Sequence, residues 1–311
     1  MRNVAPHVAA RAAVLGDAGR RWLDELEGLI GGIERDWAIT VGSPLPGGTA
    51  SYVAAARMAD GRDAVLKLSI PDPDLVNQVE TLVRARGEGY CRVYRHSPER
   101  NAVLLERLGG SLESRPPSPG AALDILCRTL QSAWQVEPWP ALEVGAPGSK
   151  ARQLRALIEE LWIRFDRPCP EAVVDTALRY AERRAEASGR RPCVVVHGDP
   201  HPGNTLRVGR PRPGAESGFV FVDPDGFLED PAYDLGVVLR DWCADLQGSG
   251  APGVARAYCR RLSDRTGIDA QDIWEWGFIE RVSSGLYLML LGDVAAGHSF
   301  LQAAEAIFPA D

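Results

Sequence analysis

From residue 8 the apolar positions recur at helical spacing. Trp22, Leu23, Leu26, Leu29, Ile30 and Ile33 form one stripe, which predicts a helix to about residue 33. The period then shortens to two. Trp37–Val41, Ser51–Met58 and Ala64–Ile70 read as strands, and Asp60-Gly61 between the second and third is a hairpin signal. Pro71-Asp72-Pro73-Asp74 opens a helix to about Arg86, since acidic residues are favourable at a helix N-terminus. Gly87 and Gly89 break it. Two further strand-like runs, Tyr90–His96 and Ala102–Leu108, follow across a turn at 97–101. Past Gly109-Gly110 and a Pro-rich linker at 114–120 the spacing is helical near 120–136, 150–165 and 170–188. A short β segment spans 193–222, and helices run on to the end. The expectation is an α+β chain of two lobes. Residues 1–108 would form a small antiparallel β-sheet lobe with a leading helix, and 109–311 a mainly helical lobe, with Glu106–Gly110 as the hinge.

At 311 residues either lobe arrangement can bury a full core, and 45% hydrophobic with 25% charged residues is ordinary for a globular chain. A net charge of -7 argues against a nucleic-acid partner, because phosphate backbones want a basic face. The six cysteines (Cys91, Cys127, Cys169, Cys193, Cys243 and Cys259) form no CxxC pair. The first residues hold no sustained apolar run, and no uncharged stretch reaches the roughly 18 residues a membrane helix needs. We therefore expect a cytoplasmic protein with reduced thiols and no membrane partner. The charge is uneven. Residues 1–110 carry 14 basic and 14 acidic side chains and 111–222 carry 15 and 13, but 223–311 carry 6 and 15, a difference of -9. That end is either a solvated acidic surface or a field that draws in a cationic substrate.

The chemistry-bearing residues cluster in the short β segment. Cys193–Val196 reads as a buried strand ending at His197-Gly198-Asp199-Pro200-His201-Pro202-Gly203-Asn204. A second strand, 204–208, and a third, Phe219–Val222, follow, the last ending at Asp223-Pro224-Asp225-Gly226. Three oxygen-bearing side chains thus reach one edge of a small sheet. Phosphoryl transfer needs those types. A hard cation wants oxygen ligands, for which Asn204 and Asp223 serve. A carboxylate must accept the proton of the attacking hydroxyl, and Asp199 suits that role. A lysine must hold the phosphates, and Lys67 lies on the third predicted strand. His197 and His201 have the spacing of a helical zinc pair, but Pro200, Pro202 and Gly203 forbid the helix, so His197 reads as a loop anchor. Glu80, on the helix after Lys67, either pairs with it or is one more charge on an amphipathic face. Asp225 reads as a turn cap with metal ligation as the alternative, and Asp230 as the cap of a helix beginning near Pro231. The eight tryptophans read as core.

In this order the residues resemble the aminoglycoside phosphotransferase family, relatives of the protein kinases, and most of all its streptomycin 6-kinase and hydroxyurea-resistance branch. The resemblance rests on His197-Gly198-Asp199…Asn204, Val222-Asp223-Pro224, Asp230-Pro-Ala-Tyr-Asp234-Leu235, Ala64-Val-Leu-Lys67-Leu68 and Val103-Leu-Leu-Glu-Arg-Leu108, and spans roughly residues 20 to 300. It implies a bilobal protein-kinase-like fold and an antibiotic O-phosphotransferase. Such an enzyme uses Mg2+ and ATP or GTP to phosphorylate a hydroxyl of a small, cationic, aminoglycoside-like antibiotic. By the same resemblance Asp199 is the catalytic base, Asn204 and Asp223 hold the metal, and His197 and Asp234 support the loop. Lys67, Gly47, Gly48, Thr49, Ser51, Glu80, Glu106 and Leu108 would lie at the nucleotide. Asp241, Asp245, Glu275, Glu280 and Asp311 are loose candidates for the substrate. The chain departs from the family at Pro200, where Leu or Ile is usual, at Glu229, where Gly is frequent, and in a nucleotide loop without GxGxxG. The alternatives are a metabolic hydroxyl kinase, a nucleoside-antibiotic kinase, or a silent nucleotide-binding scaffold.

Overall fold

The computed structural model describes residues 4–45, 51–71, 76–140, 142, 148–190 and 192–308. The leading stripe forms two helices rather than one, α1 (Pro6–Val14) and α2 (Gly16–Trp37). The chain turns at Gly16, whose φ of +60° suits glycine, and Gly19 backs onto the Ala12 carbonyl so closely that no Cβ would fit. Trp22, Leu26, Ile30, Ile33 and Trp37 form the buried face of α2, so Trp37 ends that helix instead of starting a strand.

Five strands follow: β1 (Ile39–Pro44), β2 (Ser51–Met58), β3 (Asp63–Ser69), β4 (Val93–Ser97) and β5 (Ala102–Glu106). They pair antiparallel in the order β1-β2-β3-β5-β4, with α3 (Val76–Ala85) inserted after β3. Alternation decides the two faces of this sheet. Tyr52, Ala54, Leu66, Leu68 and Leu104 pack with α2 in one hydrophobic cluster. Val65, Val103 and Leu105 face the other way, against the cluster of the helical part, as do Leu82 and Ala85 of α3. Lys67 shares the face of Val65.

The predicted strand Tyr90–His96 divides. Residues 93–97 join the sheet, but Cys91 N donates to Phe221 O (2.9 Å) and Phe221 N to Gly89 O (2.8 Å). The connector behaves alike: Gly109 N donates to Arg207 O and Leu112 N to Thr205 O, each at 2.8 Å. Beyond it lie α4 (Pro119–Ala133), α5 (Ser149–Arg164) and α6 (Glu171–Ala187). Four short strands come next: β6 (Val194–Val196), β7 (Thr205–Arg207), β8 (Phe219–Phe221) and β9 (Phe227–Glu229), the last not expected. The chain closes with α7 (Ala232–Arg240), α8 (Ala251–Thr266), α9 (Ala270–Leu290) and α10 (Val294–Ala306). Asp269 and Asp293 cap α9 and α10 by accepting from the amides of Gln271 and Ala296. No described helix is long and apolar enough to cross a membrane.

Candidate active site

Two antiparallel strand pairs carry the site, β6 with β9 and, between them in the chain, β7 with β8. Val194 of β6 sits opposite Glu229 of β9, and Thr205 of β7 opposite Phe221 of β8. The loop 197–204 runs from β6 to β7, which brings its polar residues beside Asp223, just past β8. What holds the loop is Asp234, buried in the first turn of α7. Its carboxylate accepts from the amides of His197 and Gly198, both at 2.9 Å, and from Trp134 Nε1 at 2.8 Å. Burial pushes this carboxyl up to about 6, the three donors working against it.

His197 is wholly buried, its ring stacked on Tyr90 and edge-on to Phe221. Nε2 lies 3.0 Å from the Val222 carbonyl and Nδ1 accepts from the Asp199 amide at 3.1 Å, a pattern that places the single proton on Nε2. Burial lowers its pKa to about 4, so the ring is neutral. Gly198 has φ +92°, and a Cβ there would come within 2.7 Å of the Asp225 side chain, so the loop needs glycine.

Asp199 Oδ1 accepts from Arg240 Nη2 at 2.5 Å, and Oδ2 lies 3.6 Å from His201 Nε2. Burial favours the protonated acid, but the Arg240 charge and His201 outweigh it, and the carboxyl sits below its usual range. Arg240 also meets Asp241 (3.2 Å) and Glu280 (3.5 Å). Asn204 Nδ2 donates to the Asp199 carbonyl at 3.1 Å, which leaves the amide oxygen as the acceptor end. Asp223 takes φ +58°, a left-handed conformation that a short polar side chain tolerates. Its Oδ1 is 2.7 Å from Lys67 Nζ, and Gln78 Oε1 of α3 is 2.6 Å from the same nitrogen. The carboxylate considered for Lys67 lies elsewhere: Glu80 is turned to Arg84, one helical turn on, at 2.6 Å.

The remaining candidates part company. Leu108 and Glu106 border a cleft of about 640 Å³ together with Val53, Val65, Lys67 and Asp223. Ser51 is buried, its hydroxyl 3.0 Å from that of Ser69. Gly47, Gly48 and Thr49 lie outside the described residues, as does Asp311. A second cavity of about 840 Å³ adjoins the loop, bordered by Asp199, Asp225, Arg240, Asp241 and Glu280. Asp225, raised to about 6 mainly by burial, faces this cavity, and its amide donates to the His197 carbonyl at 2.7 Å. Asp230 Oδ1 accepts from Ala232 N at 2.9 Å at the start of α7. Trp242 borders the second cavity and Trp134 serves Asp234; the other six tryptophans are buried.

Arg240, Gln78 and Arg212 escaped the sequence reading. Arg240 could have been flagged as a lone cation closing a helix that opens on Asp234, within an acidic stretch. Arg212 lies in the proline- and glycine-rich connection between β7 and β8, yet its side chain is 8% exposed. It donates to Glu106 Oε2 (2.8 Å), Gly87 O (2.6 Å) and Tyr90 O (3.1 Å), fastening the β7–β8 turn to the connector. Arg212→Ala is expected to destabilise the protein by about 2–4 kcal/mol, because it strands a half-buried carboxylate and two carbonyls. If the cleft takes a nucleotide, as the sequence leads us to expect, the nucleotide KM should also rise roughly 3- to 10-fold. Lysine should not rescue it, lacking the fork that serves three acceptors at once. Thermal unfolding and steady-state kinetics check both; an unchanged KM would remove the clamp from any role at the cleft.

Residues 36–291 match a family described as aminoglycoside/hydroxyurea antibiotic resistance kinase. The chain is 26% identical over 306 residues to a streptomycin 6-kinase of Streptomyces glaucescens, covering 97% of this chain and 95% of that one. It is 28% identical over 224 residues to a hydroxyurea phosphotransferase of Kitasatospora aureofaciens, covering 71% and 62%. Among solved structures it resembles Plasmodium vivax ethanolamine kinase (TM-score 0.57, 13% identity, 87% and 83% covered). It also resembles a spectinomycin phosphotransferase in complex with ADP and spectinomycin (TM-score 0.55, 14%, 90% and 93%). The fold is that of the protein-kinase-like phosphotransferases.

Proposed function

Because the chain belongs to the aminoglycoside/hydroxyurea antibiotic resistance kinases, we propose that it moves the γ-phosphoryl group of a nucleoside triphosphate onto a hydroxyl of a cationic, aminoglycoside-like antibiotic. One observation carries the reading. The candidate residues divide between two adjoining cavities, with Lys67, Asn204 and Asp223 at the smaller and Asp199, Arg240 and Glu280 at the larger. The smaller takes the nucleotide, its apolar walls (Val53, Val65, Leu108, Leu206) receiving the base and Lys67 the phosphates. The larger takes the acceptor.

Asp223 and Asn204 supply one carboxylate and one amide oxygen, a sparse, hard donor set that fits a Mg2+ completed by phosphates and water. Once bound, such a cation neutralises charge on the phosphates. The protein's own residues do the rest. Asp199, ionised and held by Arg240, accepts a hydrogen bond from the acceptor hydroxyl and orients its oxygen along the line of transfer. As that oxygen bonds to the γ-phosphorus, the bond to the β,γ-bridging oxygen breaks and the hydroxyl proton passes to Asp199. Lys67 stays on the phosphates of the departing nucleoside diphosphate. Glu280, 4% exposed, has one carboxylate oxygen without a hydrogen-bond partner among the described residues. A buried acceptor of that kind suits an ammonium or guanidinium of the substrate.

Asp225 adds a pH dependence. With its pKa near 6 it is mostly neutral at pH 5 and charged at pH 7.5, so affinity for a cationic acceptor should rise with pH across that window. We expect the acceptor KM to fall about 3- to 10-fold between those pH values, and Asp225→Asn to flatten the change. A profile unaltered in the variant would assign the titration elsewhere.

The test of the function is nucleotide consumption with Mg2+ and either ATP or GTP over a panel of hydroxyl-bearing antibiotics, with products weighed by mass spectrometry. Turnover that adds one phosphate to an antibiotic sustains the proposal. Protein that binds nucleotide yet phosphorylates no member of the panel overturns it.

A further inference from the structure

Resting on that reading, we propose that the acceptor is an amphipathic cation: a hydroxylated, positively charged head group joined to an apolar portion that lies along the outer half of α9. The cavity that holds Asp199 is graded. Along α9 its border runs from Glu280 through Ser283 and Ser284 to Tyr287, Leu288 and finally Leu291, one helix face at a spacing of three and four residues. Eleven residues of rise at 1.5 Å set the buried acid and Leu291 roughly 16 Å apart. A ligand held by its cation at Glu280 must therefore meet hydroxyls next and apolar surface last.

The apolar end is exposed where a soluble protein normally hides such groups. Tyr287 is 46% exposed, Leu291 66% and the neighbouring Val294 47%, half of the exposed large hydrophobic residues among those described. Leu154 and Leu157 of α5 and Phe300 of α10 face them across the cavity, so the shelf has two sides and is continuous with the acceptor site. It is a substrate surface rather than a stray patch.

The head-group end keeps a net negative charge, five carboxylates against two cations. Three of the five carboxylates bordering the cavity, Asp199, Asp241 and Glu280, already share Arg240. A second cation, Lys150, borders the same space, its Nζ 5.2 Å and 5.5 Å from the ring centres of Phe227 and Tyr233. The chain has only two lysines. One borders the smaller cleft and the other stands here, where with Arg240 it still leaves the five carboxylates in excess, a field that holds a cationic head group.

The test uses N-alkyl derivatives of one hydroxylated amino sugar, from methyl to octyl. Binding is measured by calorimetry with Mg2+ and ADP present, and phosphorylation separately with ATP. Affinity should rise about 2- to 4-fold per added methylene until the shelf is filled, so that the octyl member binds at least about 10-fold tighter than the methyl one. Leu291→Ser, an exposed change that should leave the melting temperature unaltered, should cut the gain per methylene for the longer members. A flat series, or no binding by any member, overturns the inference. Affinity that climbs with chain length while no member is phosphorylated would sink the transfer reaction and leave the shelf standing.

Discussion

Asp199→Asn is expected to lower turnover by about 10³-fold or more while nucleotide affinity stays within about 2-fold of the parent. Asparagine keeps the size and one acceptor oxygen, so the loop and the bond to Asn204, which uses the Asp199 backbone carbonyl, survive. What disappears is the charge that takes the hydroxyl proton, and with it the 2.5 Å ion pair to Arg240. The nucleotide cleft is lined by other residues, which is why binding and turnover should separate. Single-turnover kinetics and calorimetry with Mg2+ and ADP measure the two. A loss of turnover under about 10-fold would take Asp199 out of the base's role.

Asp234→Ala should fail differently, through the fold. It strands three buried donors, the amides of His197 and Gly198 and the indole nitrogen of Trp134. At about 1–3 kcal/mol for each, partly relieved by entering water, the loss is about 3–6 kcal/mol, a large share of the 5–15 kcal/mol that holds a typical protein together. The expected signs are a fall in melting temperature of about 6–12 °C and a loss of turnover beyond 100-fold. Asn should fall between, since it offers one acceptor oxygen where the carboxylate uses two. A melting temperature within about 2 °C of the parent would show that the loop is braced by something else.

The two periods were legible because one face of each element is buried: α2 shows its stripe, and alternation along β3 and β5 separates the two sheet faces. The loop 197–204 was legible because proline and glycine punctuate it. Partners were not. Tyr90-Cys91 has the composition of a strand, and nothing local says that it pairs with β8 rather than with β5. Gln78 and Glu80 lie two residues apart, nearly opposite each other on a 3.6-residue turn, and only the docking of α3 brings the amide to Lys67. β9 escaped because its buried Glu229 reads as polar and three residues are too few for a pattern. Arg240 was legible only as a lone cation in an acidic stretch, because its partner Asp199 lies 41 positions away.

The hydrophobic cluster of the helical part does not stop at residue 108; it takes in Val103 and Leu105 of β5 and Leu82 and Ala85 of α3. Walls of the cleft assigned above to the nucleotide therefore share one hydrophobic cluster with the helical part. Nucleotide bound there would stabilise the two together. Saturation at about 100 times Kd adds about 2.7 kcal/mol to global unfolding. In a cell stocked with triphosphate, binding at that level would offset a destabilising substitution of similar size around the acceptor cavity.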